Sequence, residues 1–222
     1  MDLFELFDPN EDFEVTAANL PHWFQTDVTY FLTFRTADSI PRGVAELWNR
    51  RRREWLMQHR IDPDHPDWSR QLSALPKQQR GDYYNQFSAE YLSHLDRGYG
   101  ACPLKKSDLA EEVSKALLSF NHDRYELAAF VVMPNHVHVL LAMRQNITPK
   151  KQCTNWKHYT ARIINAKLQR AGAFWQTESY DHLVRSPQSF ERIQQYIVDN
   201  PGHAGLKAGE YIVYLRPQGN LL

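Results

Sequence analysis

Tyr125-Glu126-Leu127-Ala128-Ala129-Phe130-Val131-Val132-Met133-Pro134-Asn135-His136-Val137-His138-Val139-Leu140-Leu141-Ala142-Met143 is the stretch that decides the fold. Two almost unbroken apolar runs, 125–133 and 137–143, flank Pro134-Asn135, a pair with turn chemistry. Apolar residues at both alternating positions predict two strands buried on both faces, joined as an antiparallel hairpin at the centre of a sheet. In the second run His136 and His138 stand two apart, and strand alternation puts them on one face. Two imidazoles inside an apolar strand are costly to bury unless both are hydrogen-bonded or bind an ion. A divalent cation explains them economically and leaves room for a third protein ligand, water and a phosphate oxygen; the spacing alone equally admits a structural or surface histidine pair.

Upstream of the hairpin, Val28 to Arg35 is β-branched and aromatic and predicts a strand. Arg42 to Arg60 has apolar residues at helical spacing around Arg50 to Arg53, Asp62 to Pro76 is a proline-rich surface excursion, and Tyr83 to Leu95 is helical until Gly98-Tyr99-Gly100. Ser107 is placed to cap a further helix. Downstream, Lys157 to Gln169 is helical, Ala173 to Tyr180 crosses to another element, and Ser186 or Pro187 opens a helix that Pro201 closes after Asn200. This order predicts an α+β fold of ferredoxin-like type, an antiparallel sheet with helices on one face, although a fourth strand is not apparent. The expected organisation is an acidic arm over 1–20, one domain over 21–206 with a helical insertion at 41–106 after the first strand, and a tail over 207–222.

With 222 residues, 42% hydrophobic and 13% aromatic, the chain can bury one substantial core. Twenty-six basic residues balance twenty-six acidic ones, so no global positive charge marks an electrostatic DNA binder. The acids crowd into the first fifteen positions and Asp62 to Asp67, which leaves local basic faces elsewhere. Cys102 and Cys153 form no CxxC pair, which argues against a disulfide framework or a cysteine zinc site and suits a reducing compartment. No apolar run approaches the roughly 20 residues that span a bilayer, and the acidic start lacks a signal peptide's positive region. The expectation is a soluble cytoplasmic protein with no membrane partner.

The segment Ala129-Phe130-Val131-Val132-Met133-Pro134-Asn135-His136-Val137-His138 resembles the His-hydrophobic-His signature of single-strand tyrosine transposases of the IS200-like kind. Further on, Trp175-Gln176, Tyr180-Asp181-His182-Leu183-Val184-Arg185 and Tyr196-Ile197-Val198-Asp199-Asn200-Pro201 with Gly205-Leu206 resemble the C-terminal pattern of REP-associated tyrosine transposases. The likeness covers most of 125–206. It implies that His136 and His138 bind a divalent metal, Mg²⁺ or Mn²⁺, that Asn200 is the third ligand, and that Tyr196 is the nucleophile. Being four apart on a helix, Tyr196 and Asn200 share a face. The resemblance further implies single-strand DNA cleavage and strand transfer through a 5′-phosphotyrosine, on hairpin repeat DNA, by a nucleoid-associated monomer or homodimer. Two other readings stand beside it: a repeat-DNA-binding or regulatory protein that does not cut, and a metal-dependent nuclease whose nucleophile is water.

Lys157, Arg162, His182 and Arg185 are the candidate nucleic-acid contacts. Lys157 and Arg162 flank Tyr159 on one helix, cations beside an aromatic, while His182 and Arg185 belong to the family-like stretch. Tyr159 is a rival nucleophile without the matching neighbours. Arg50 to Arg53 could follow a DNA backbone or form a plain surface. His65-Pro66-Asp67 matches the J-domain tripeptide without its flanks and reads as a loop. The insertion at 41–106 departs from compact relatives, and its composition does not say what it adds.

Overall fold

A computed structural model describes residues 3–17, 21–144 and 147–217; parts of the expected arm (1–2, 18–20) and tail (218–222) lie outside the described residues. A small antiparallel ribbon, β1 (Glu14–Ala17) and β2 (Pro21–Phe24), precedes β3 (Thr29–Arg35). Helices α1 (Arg42–Gln58), α2 (Trp68–Ala74), α3 (Lys77–Tyr83) and α4 (Ala89–Asp96) follow, with a π-helical turn at Tyr84–Ser88 joining the last two. Then come α5 (Ser107–Leu118), β4 (Tyr125–Val132), β5 (His136–Met143), α6 (Pro149–Lys167), β6 (Tyr180–Leu183), α7 (Pro187–His203) and β7 (Ile212–Leu215).

The main sheet has the order β6-β3-β5-β4-β7, with every neighbouring pair antiparallel. From β3 to β6 the chain runs β-α-β-β-α-β, with α1 to α4 inserted ahead of α5. The expected hairpin is the centre of this sheet, and both its strands are buried along their whole length.

Alternation along the central strands sends side chains into two cores. Tyr30, Leu32, Phe34, Val137, Val139 and Leu141 meet α5 and α6 on one face. Phe31, Val131 and Leu140 meet Trp48, Leu56, Leu72, Phe87 and Ile197 of the insertion and α7 on the other. The expectation of helices on one face is therefore corrected: the insertion and α7 roof the second face, where Phe31, Val131 and Leu140 are buried beside the polar Thr33, Arg35, His136 and His138. The fourth strand is β6, and β7 turns part of the expected tail into a fifth strand on β4. Two caps differ from expectation. Ser107 is the first residue of α5 rather than its cap, and α7 runs on to His203 with Pro201 inside it. Only the proline's own missing N–H is lost there, since Ala204 N still donates to Asn200 O.

Candidate metal and tyrosine site

His136 and His138 lie on the face roofed by the insertion and α7, where both rings are buried. Neighbouring groups orient each ring. The Asn135 amide nitrogen donates to Tyr99 O at 2.9 Å, so its Oδ1 accepts from His136 Nδ1 at 2.7 Å. The proton on Nδ1 leaves the Nε2 lone pair facing the site, buried and without a partner. Thr33, the register partner of His138 on β3, places its hydroxyl 2.7 Å from His138 Nδ1. Phe31 stacks on the same ring at 5.2 Å. Hydrogen bonds to the far ring nitrogen are the usual support of a metal-ligating imidazole.

From above, α7 supplies Tyr196 and Asn200 on one face, as their spacing requires. The Tyr196 hydroxyl is 3.3 Å from His138 Nε2 and 3.3 and 3.4 Å from the two carboxylate oxygens of Asp96. Asn200 Nδ2 donates to Asp96 Oδ1 at 3.0 Å, which leaves Asn200 Oδ1 buried and unpartnered. Asp96, the last residue of α4, also lies 3.7 Å from His136 Nε2. One ligand atom each from Asp96, His136 and His138 fall within 4.8 Å of one another. Ligands at about 2.1 Å around an octahedral ion are about 3 to 4 Å apart, so small movements would close such a set. The donors fit a cation: several lone pairs converge, and two of them have nothing to accept from.

Burial controls the ionisation here. It pushes His136 down to about 3, and it holds His138 well below the usual histidine range, with His136 adding a smaller push. Both rings are thus neutral at pH 7, the form that ligates metals. Burial first, then the Asp96 charge, raises the Tyr196 phenol far above its ordinary value of 10.0. Burial also raises Asp96, while hydrogen bonds from Asn200 and Tyr196 offset part of this.

Sequence reasoning missed Asp96. The available signal was an acid closing a helix, where the macrodipole disfavours negative charge, just ahead of Arg97-Gly98. It also missed Arg35, which pairs in register with His136 and is buried, held by the Tyr91 hydroxyl at 3.0 Å and Ser39 Oγ at 3.1 Å.

The remaining candidates are scattered. Lys157 is buried, and its ammonium donates to Gln176 O at 3.2 Å and Thr177 O at 2.5 Å. Its charge therefore serves the fold rather than a DNA surface. Exposed Tyr159 and Arg162 ride on α6, across the sheet from the histidines, so Tyr159 cannot reach their site. His182 and Arg185 lie at the β6 edge; burial and Arg185 push His182 down to about 4, which makes it neutral at pH 7. Of the arginine run, Arg51 pairs with Glu90, Arg53 with Asp64, and Arg52 is buried near Trp48 and Trp68.

Fold and site together define an antiparallel α+β protein with a paired-histidine centre facing a helix-borne tyrosine. Residues 104–200 match the family model described as Transposase IS200 like. A solved structure of a REP-associated tyrosine transposase bound to a REP hairpin is similar at 13% identity and a TM-score of 0.42, covering 84% of this chain and 73% of that one. Among curated proteins no significant sequence relative is found. No helix among the described residues is long and apolar enough to cross a membrane.

Proposed function

We propose that this protein is a metal-dependent single-stranded DNA endonuclease and strand transferase that forms a 5′-phosphotyrosine on Tyr196. One observation carries the reading: the Tyr196 hydroxyl sits 3.3 Å from His138 Nε2 and within 3.4 Å of Asp96, beside the unpartnered lone pairs of His136 Nε2 and Asn200 Oδ1. A module that only binds DNA has no need of this convergence. Hairpin repeat DNA as substrate rests on the sequence likeness of 125–206 to REP-associated transposases.

His136, His138 and Asn200 would hold the divalent ion, with Asp96 as a further ligand on the same side. When bound, Mg²⁺ or Mn²⁺ polarises the scissile phosphate and offsets the charge that develops in the transition state. Asp96 is within reach of the phenolic proton, at a length usual for a resting site that tightens around substrate. The Tyr196 oxygen attacks phosphorus in line and the bond to the 3′ oxygen breaks. That oxygen leaves and takes up a proton as a free 3′-hydroxyl, while the 5′-phosphate stays on Tyr196. Attack by a 3′-hydroxyl on the phosphotyrosine restores a phosphodiester and frees the phenol, so rejoining consumes no nucleotide. The Tyr196 hydroxyl and the His138 ring meet within one chain, which supports a first cut made by a single subunit.

The test is denaturing-gel analysis of end-labelled hairpin oligonucleotides with Mg²⁺ or Mn²⁺ and either wild type or Tyr196→Phe. A covalent protein–DNA band that needs both metal and Tyr196 is expected. Cleavage that survives Tyr196→Phe without such a band would assign the nucleophile to water. Tight hairpin binding without cleavage would leave a recognition module.

A further inference from the structure

Beyond the β6 edge of the sheet a groove of about 1030 Å³ runs between the N-terminal segment and the insertion. Its basic residues are Arg70, Lys77, Arg80 and Arg185, and Asp67 is the lone acid among its lining residues. The whole chain carries equal numbers of acids and bases, so this surface departs sharply from the average. Arg70 and Lys77 are exposed and make no ion pair among the described residues. Arg80 is fastened to Ser73 O at 2.6 Å and fixes the wall between them.

Aromatic rings line the same groove, among them Phe7, Phe13 and Trp23. Phe13 is 40% exposed and stacks on Trp23 with centroids 5.3 Å apart and planes at 22°. The Arg185 guanidinium lies over Trp23 at 5.4 Å and over Phe7 at 5.2 Å. Cations that follow a phosphate backbone beside exposed ring faces are the pattern of single-strand binding, since every base offers a face to stack. A duplex, with its bases already stacked, would leave Phe13 unused.

The register fixes where the groove lies relative to the site. Tyr180 pairs with Thr33, and Thr33 pairs with His138. Arg185 is five residues further along, about 16 Å at strand rise, and two strand spacings add about 10 Å sideways. The groove therefore begins about 20 Å from the histidines, and a strand leaving the site along the β6 edge enters it within a few nucleotides.

We infer that this groove binds a segment of single-stranded DNA flanking the reacting phosphate, with Arg70, Lys77 and Arg185 on its backbone and the exposed Phe13 ring, backed by Trp23, against its bases. The inference rests on the nuclease reading for its choice of DNA. It also gives the insertion and the N-terminal segment, both outside the matched residues 104–200, a common task.

The experiment is fluorescence anisotropy of labelled oligothymidylate of about 12 nucleotides, within the ~4–16 nucleotide span of such grooves, in EDTA so that nothing is cut. Arg70→Ala with Lys77→Ala should weaken binding about tenfold or more. It should also lower the slope of log affinity against log salt by about 1.4, the loss of two phosphate contacts at ~0.7 each. Phe13→Ala should weaken binding several-fold and leave the slope unchanged. Each variant is checked by its melting curve; if the double variant does not fold, Arg70→Gln alone should lower the slope by about 0.7. Unchanged affinity and slope in the folded basic-site variants would overturn the inference, as would equal competition by a blunt duplex. A tighter hold on oligouridylate would reassign the groove to RNA. The Tyr196 adduct on hairpin DNA is read separately: if oligothymidylate binds through the groove and no adduct forms, the groove stands and the nuclease reading falls. If the adduct forms while binding ignores these residues, the reverse holds.

Discussion

Asp96 faces the Tyr196 hydroxyl, the Asn200 amide and His136 Nε2 at once, so replacing its carboxylate by an isosteric amide changes charge with little change of volume. Asp96→Asn should slow single-turnover adduct formation about 100-fold or more, the usual scale for losing a positioned acid–base group, while hairpin affinity stays within about twofold. A rate within a few-fold of wild type would assign the carboxylate to packing. At the β6 edge, His182 has a folded pKa of about 4, below its unfolded value of about 6.5. The unfolded chain therefore takes the proton first as pH falls, and the stability that His182 contributes above about pH 6.5 is lost as pH falls toward 4. Allowing for its partial exposure, His182→Gln should lose about 2 kcal/mol less than wild type between pH 7 and pH 4.5 in urea unfolding. Superimposable pH dependences would mean that this ring is not held neutral.

Ser186 caps α7 by accepting from Ser189 N, and Thr148 caps α6 by accepting from Lys151 N. Replacing either by alanine should cost about 1 kcal/mol, lowering Tm by about 2–4 °C in a chain of this size. Tyr196 is about two and a half turns into α7, beyond the turn that frays, so Ser186→Ala should leave the adduct rate unchanged. A falling rate would show that the cap sets the height of Tyr196. Elements with a strong period were legible in sequence for the same physical reasons that make them stable: the doubly buried hairpin, the capped α7, and the shared face of Tyr196 and Asn200. β6 was not, because Tyr-Asp-His-Leu is a strand only through its pairing with β3. β7 was hidden likewise, four residues whose partner is β4 at a distance in sequence. Asp96 was hidden because nothing local ties the end of α4 to a histidine 40 residues later; Leu92, packed on the second core, and the fully buried Leu95 anchor that end.

At the scale of the molecule, the insertion seals one face of the sheet, and its last helix completes a site that would otherwise be an open cleft. Sealing has a thermodynamic consequence. Lone pairs from Asp96, Asn200, His136 and His138 converge in a largely buried space, so an ion that binds them in the folded chain and not in the unfolded one must stabilise it. At a concentration about 100 times its Kd, such an ion adds about 2.7 kcal/mol, or about 5–11 °C in Tm for a chain of this size. Scanning calorimetry should therefore show Tm rising with Mn²⁺ and returning to its starting value in EDTA. Mg²⁺ should need higher concentrations for the same rise, because imidazole ligands suit transition metals better than Mg²⁺. His136→Ala with His138→Ala should abolish the metal response. Its melting in EDTA reports separately on the packing lost with the two rings, so the metal effect is read as a difference within each protein. A wild-type Tm indifferent to both ions would remove the cation from this site and leave the buried lone pairs of His136 and Asn200 to be satisfied by water.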